Sequence, residues 1–300
     1  MVVFKKIVML ILLLVITGYS QNRVFTDVNI DGDNDATSSY KYYLGYNRDI
    51  TDVLHFGVMA GNRNYVDPGL HNSFRDLRLN GQYAILDNLE ITTNVSFLFS
   101  NDWKPIFYDG LITYNPIDML YFEGYIEHES VGTAKTNEQK YISTYSGMSV
   151  DISVLDELVL VAGFSYNEIT DNNYRLYQTY RAVYTLPLEW VFVDFKTKLM
   201  TGGDYSPYYF SPNTLSEYNF GIGIRGELGS PRYYSNFYIG GGVQKVNNDL
   251  KGLFITNLRI GADFTPTLSG ELILGATNAQ NNVYGSFWYN YGKLKLTYSF

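Results

Sequence analysis

The chain has 300 residues, 30 acidic against 22 basic, and a net charge of -8, a balance that excludes a nucleic-acid backbone as its principal partner. It contains no cysteine, so neither a disulfide framework nor a thiolate metal site is available. Mean hydropathy is -0.13, too low for a bundle of apolar helices, whereas 29 Tyr, 18 Phe and 3 Trp suit aromatic belts at two membrane interfaces.

The first predicted element is an export signal. Lys5 and Lys6 precede an apolar run from Ile7 to Ile16, and Gly18-Tyr19-Ser20 has small residues at the two positions a signal peptidase reads. The run falls short of the roughly 20 residues a membrane-spanning helix needs, and no later stretch approaches that length. A cleaved signal over 1–20 is expected, leaving residues 21–300 as one mature domain that begins at Gln21 and carries a net charge of -10 once Lys5 and Lys6 are lost.

A first strand is expected near Arg23 to Ile30. Beyond it, apolar and polar residues alternate, which sends them to opposite faces of a strand. Leu54-Phe56-Val58-Ala60 alternates with His55-Gly57-Met59-Gly61, and Ile91-Thr93-Val95-Phe97-Phe99 with Glu90-Thr92-Asn94-Ser96. Later, Val191-Val193-Phe195 opposes Asp194-Lys196-Lys198, and Tyr218-Phe220-Ile222-Ile224 opposes Glu217-Asn219-Gly221-Gly223-Arg225. Short connections are expected at Asn47-Arg48-Asp49, Asp87-Asn88, Asn115-Pro116, Leu186-Pro187, Gly229-Ser230-Pro231 and Pro266-Thr267. Longer ones are expected around 31–39, 62–72, 130–139 and 202–213. Short periplasmic turns alternating with longer outer loops give an all-β fold: a transmembrane antiparallel up-and-down β-barrel of about sixteen strands in the bacterial outer membrane. Dropping the first strand leaves about fourteen as the second choice.

Candidate sites follow in chain order. Asp31, Asp33 and Asp35 alternate as in a calcium loop, but Ala36 stands in the place of the sharp-turn Gly and Tyr42 in that of the bidentate Glu, so a solvated acidic loop is expected and no metal. His128-Glu129-Ser130-Val131-Gly132 resembles the His-x-Ser-Asn-Gly element of outer-membrane phospholipases and lipid A deacylases. The spacing puts His128 and Ser130 on one outward face with Leu120, Phe122 and Ile126, and the resemblance implies a serine lipid hydrolase. Val131 replaces the Asn, and His71 and Ser73 repeat the spacing, so a non-enzyme without cofactors is expected. Arg175, Arg181, Lys196, Lys198, Arg225 and Arg259 fall on the predicted inward face with Lys293 and Lys295. Glu90, Glu123, Glu127, Asp194, Glu217, Asp263 and Glu271 share that face. Ion pairs that stiffen the barrel are the plain reading, and a selectivity filter the sharper one. No helix follows Gly240-Gly241-Gly242, which therefore reads as strand glycines permitting bending or close approach.

One segment carries a family resemblance. Asp204-Tyr205-Ser206-Pro207-Tyr208-Tyr209-Phe210-Ser211-Pro212 resembles the Tyr-Phe-Ser-Pro element in the barrels of exopolysaccharide export proteins that serve cellulose and poly-N-acetylglucosamine secretion. The resemblance implies a sixteen-stranded pore with Tyr205, Tyr208, Tyr209 and Phe210 as glycan or loop contacts. Such exporters usually carry a periplasmic tetratricopeptide array before the barrel. Here fewer than twenty residues separate the signal from alternating strand, so that scaffold is expected on a separate chain, or the barrel stands alone in the YaiO-like manner. The chain closes with Leu294, Leu296, Tyr298 and Phe300 alternating with Lys293, Lys295, Thr297 and Ser299, which resembles the signal that directs outer-membrane proteins to insertion.

About sixteen strands leave room for an aqueous channel. A passive outer-membrane conduit is the expected function, with exopolysaccharide export first, a general diffusion porin for small solutes as the alternative, and a lipid hydrolase as the second alternative. Expected partners are outer-membrane lipid, the barrel assembly machinery, a polysaccharide and a separate periplasmic repeat protein, with no nucleic acid.

Overall fold

The computed structural model describes residues 21–279 and 288–300, apart from 228 and 231; the expected export signal lies outside the described residues. Alternation becomes sixteen strands: β1 (Asn22–Asp33), β2 (Ser38–Thr51), β3 (Leu54–Asp67), β4 (Leu70–Leu86), β5 (Leu89–Phe99), β6 (Ile106–Ile117), β7 (Leu120–Ser130) and β8 (Ile142–Leu155). The second half comprises β9 (Leu158–Ile169), β10 (Asn173–Thr185), β11 (Val191–Gly202), β12 (Thr214–Glu227), β13 (Tyr233–Val246), β14 (Asp249–Thr265), β15 (Leu268–Thr277) and β16 (Tyr289–Ser299). One short helix, α1 (Ala134–Glu138), interrupts the β7–β8 connection.

Every strand pairs antiparallel with its sequence neighbours, and β1 pairs with β16 to close the barrel. Closure satisfies the backbone groups that an open edge would leave bare in hydrocarbon, at several kcal/mol each. The seam runs from Arg23 opposite Ser299 to Asp33 opposite Tyr289. It is locked at its end by a reciprocal pair: Asn22 N–H donates to the Phe300 carbonyl at 3.1 Å, and Phe300 N–H to that of Asn22 at 2.9 Å. The first strand is therefore real and runs three residues past Ile30, and fourteen strands is excluded.

Two surfaces follow from the two-residue period. Leu44, Phe56, Ile112, Phe164, Phe220 and Leu272 belong to an exposed outer face of large apolar side chains, and Leu294, Leu296, Tyr298 and Phe300 continue it beside the seam. The inward face is polar but holds large rings, which fit because glycine lies opposite them. A Cβ on Gly221 would sit 2.4 Å from the Tyr238 hydroxyl, and one on Gly240 2.6 Å from it. Of the three consecutive glycines, Gly240 and Gly242 thus serve close approach, since a Cβ at Gly242 would meet the Tyr218 carbonyl at 1.9 Å.

Turn placement departs from the sequence expectation at two periplasmic turns, for one physical reason, and at one outer connection, for another. Asn47-Arg48-Asp49 and Asn115-Pro116 lie within β2 and β6; the turns are Asp52-Val53 and Asp118-Met119. A register shift precedes the turn in five periplasmic hairpins, β2–β3, β4–β5, β6–β7, β8–β9 and β14–β15. Such bulges break the alternation just before the chain reverses, so the turn looks earlier than it is. Thr51 and Thr265 stabilise two of these reversals by accepting N–H bonds at 3.0 Å from Leu54 and Leu268. The third departure is outside: residues 62–72 are not a long loop but β3 and β4 joined through Pro68-Gly69, with Gly69 at φ +78°, a conformation that favours glycine.

Candidate functional site

The lumen is narrowed from its outer end by the β7–β8 connection, residues 131–141, which folds inward. Thr133 caps α1: its Oγ1 accepts the Thr136 N–H, and the Thr136 hydroxyl oxygen accepts the Thr133 N–H, both at 3.1 Å. Asp67, at the outer end of β3, accepts the Lys135 N–H at 2.7 Å through Oδ2. Ala134 and Thr136 are wholly buried. Ala134 packs on Tyr65, Phe74, Leu98 and Phe107, and Trp103 makes edge contacts with Phe74 at 5.8 Å and Phe107 at 5.9 Å. The inward face of β3–β6 is apolar here because the loop covers it.

Beneath the loop lies a charge network. Arg63 of β3 is 1 % exposed; its Nε donates to Asp76 Oδ2 at 2.7 Å, Nη2 to Ser96 Oγ at 3.2 Å, and Nη1 to Glu129 Oε1. Tyr43 donates to the same Asp76 oxygen at 2.9 Å, and Lys41 lies 3.3 Å from the same Glu129 oxygen. Glu129 stands on β7, four strands round the wall from β3, so its bonds to Arg63 and Lys41 cross the lumen rather than follow the wall.

The six basic residues expected in the lumen all stand on the inward face, with different partners. Arg181 grips Asp194 in a bidentate pair at 2.8–3.0 Å, and Arg259 pairs with Glu271, which also accepts the Tyr234 hydroxyl at 2.8 Å. Arg225 donates to Thr185 Oγ1 at 3.0 Å and lies over Phe192; Lys198 lies over the Tyr177 ring at 5.2 Å. Arg175 donates to the Phe210 carbonyl and lies over Tyr209 at 5.2 Å. Lys196 faces Asn219 across the β11–β12 pair.

The β11–β12 connection, residues 203–213, brings the aromatic segment over the mouth. Tyr208 and Tyr209 meet Tyr141 of the other loop edge-on, at 5.5 and 6.2 Å. Tyr209 donates to Asp171 Oδ2 at 2.6 Å and accepts from Asn173 Nδ2 at 3.0 Å; burial, then the bond to Asp171, pushes its phenol up to about 12. Tyr205 points to solvent, 64 % exposed. Together the two loops divide the lumen into cavities. One of about 620 Å³ opens at the mouth, bounded by Asp31, Asp67, Lys135, Arg175 and Tyr209. Two more, of about 460 and 290 Å³, share Glu127 and Glu129 on their walls; the smaller sets these against Arg175 and Lys198.

His128 and Ser130 are not assembled into a hydrolytic pair. The His128 ring stacks on Tyr108 at 4.8 Å, and its Nδ1 lies 2.9 Å from Thr144 Oγ1. The Ser130 hydroxyl is buried without a hydrogen-bond partner. In that motif the lumen is served by the residue between them, Glu129. Among the described residues no group of three or more His, Asp or Glu is placed to hold a metal ion. In the acidic turn, Asp33 Oδ1 instead accepts the N–H groups of Asp35 and Thr37 at 2.9 and 3.0 Å, and Ala36 takes the left-handed conformation at φ +63°.

No family model and no curated protein matches the chain. Solved structures do. A bacterial polysaccharide outer membrane secretin superposes with a TM-score of 0.72 at 13 % identity, covering 94 % of this chain and 98 % of that one. Pseudomonas aeruginosa OccD3 (OpdP) superposes with a TM-score of 0.50 at 12 % identity, covering 95 % and 92 %. At such identities the likeness is one of fold. Closed sixteen-strand topology, an apolar outer band and a polar interior define a bacterial outer-membrane β-barrel.

Proposed function

We propose that the protein is a passive outer-membrane channel for small polar solutes. The observation that carries this reading is the inward fold of residues 131–141 with Glu129 bonded across the lumen to Arg63 and Lys41. It leaves compartments of a few hundred cubic ångströms lined by charges of both signs, which suit hydrated small molecules passing in single file. Liposome swelling with the purified barrel tests it: monosaccharides enter, and entry falls steeply with oligosaccharide length. A folded barrel that admits no monosaccharide would falsify the proposal.

A second reading, exopolysaccharide export, is favoured by the likeness to the polysaccharide secretin barrel and by Tyr208, Tyr209 and Phe210 at the mouth. It requires the two loops to part. Loss of surface polymer on replacing these three rings with alanine, in barrels that still assemble, would support it over small-solute diffusion.

A further inference from the structure

Resting on the channel reading, we propose that the outer-mouth cavity is a selectivity site for small organic ammonium ions, which it takes from solution ahead of neutral and anionic solutes of the same size. Four carboxylates line it, Asp31, Asp33, Asp35 and Asp67, against two cations, Lys135 and Arg175. With four acids against two cations the cavity carries a formal surplus of negative charge, and Arg175 is held in place by the Phe210 carbonyl and the Tyr209 ring.

Asp67 supplies the acceptor for such a cation. The residue is 3 % exposed, yet only one of its oxygens is accounted for: Oδ2 accepts the Lys135 N–H, while Oδ1 is buried with no hydrogen-bond partner. A buried carboxylate oxygen without a donor is costly, and an ammonium N–H is the donor that would satisfy both the bond and the charge. The remaining acids do not converge. Asp31 accepts the Ser39 hydroxyl, and Asp33 accepts two backbone N–H groups of its own turn, so no set of three is placed to hold a metal ion among the described residues. Charge spread along one wall fits an organic cation rather than a compact metal ion. The opposite wall offers Tyr208, whose ring is exposed and whose face attracts a cation and accommodates its carbon skeleton.

Three six-carbon sugars of one size separate the possibilities: glucosamine in mildly acidic buffer, glucose and glucuronate, measured as tracer entry into liposomes. Glucosamine is expected to enter faster than glucose by roughly tenfold, the low end of what a cleft lined by one sign of charge delivers, with glucuronate slower than glucose. Asp67→Asn is expected to lower the glucosamine to glucose ratio. Lys135→Gln, which keeps the backbone N–H to Asp67, is expected to raise it and stands as the test if the first variant does not insert. A wild-type ratio near one overturns the site while leaving the channel intact. A folded barrel impermeable to glucose overturns the channel reading alone. The site is then judged by titrating the detergent-solubilised barrel with glucosamine and following tyrosine fluorescence; a response to glucosamine and not to glucose supports it, and none overturns it.

Discussion

Arg63 ties β3 to three other strands, β4, β5 and β7, from a position with almost no contact with water. Its partner Asp76 is as deeply buried, at side-chain exposures of 1 % and 0 %. Removing one member of such a pair leaves the other's charge uncompensated, at a cost of about 3–5 kcal/mol. Arg63→Met is therefore expected to lower the temperature at which the folded band is lost in heat-modifiability gels. Replacing both residues with apolar ones, Arg63→Met with Asp76→Leu, should recover much of the loss; no recovery would mean that Glu129, not Asp76, is the partner that matters. This network was within reach of the sequence but was obscured. Arg63 and Tyr65 continue the inward alternation of Gly61, yet they sit in the stretch 62–72, whose Asn, Gly and Pro content reads as a loop. Glu129 lies between His128 and Ser130, whose spacing marks only the outward face of β7. The basic residues of the second half were legible because β10–β14 alternate cleanly around them.

The elements that decide pore size are not strands. Residues 131–141 have no apolar stripe and no length to mark them as an insert. Their inward course depends on Asp67 reaching Lys135 and on Ala134 fitting among three rings and Leu98 from four strands, long-range contacts that local pattern does not encode. Deleting 132–140 is expected to raise single-channel conductance in planar bilayers by roughly twofold or more, since the narrowest section governs flow; an unchanged conductance would place the constriction elsewhere. The periplasmic hairpins did carry a readable signature. Asp52-Val53-Leu54, Asp87-Asn88-Leu89, Asp118-Met119-Leu120 and Asp156-Glu157-Leu158 share one pattern, Asp-x-Leu, each at a reversal between strands. Reading that repeat would have placed two turns that the bulges displaced.

At the scale of the molecule, strand count and closure were legible because hydrocarbon on one side and water on the other impose the same two-residue period on every strand. Assembly depends on the seam. Removing residues 289–300 exposes the edges of β1 and β15, and no heat-modifiable species is expected, because each bare backbone group in lipid costs several kcal/mol. Phe300→Ala keeps the reciprocal backbone bonds to Asn22 and is expected to retain a folded form; loss of that form would assign the ring itself a part in insertion. The recurring periplasmic joint has a wider implication. In each of five hairpins the second turn residue offers its carbonyl to the next strand along, as Val53 does to Ala84 at 2.8 Å and Met119 to Ser153 at 2.9 Å. Since every such joint ends in the same offset, copying one with its flanking staves would enlarge the girth by a fixed step and leave the other seams in register. The cylinder is thus made of interchangeable parts, and its bore is open to revision two staves at a time.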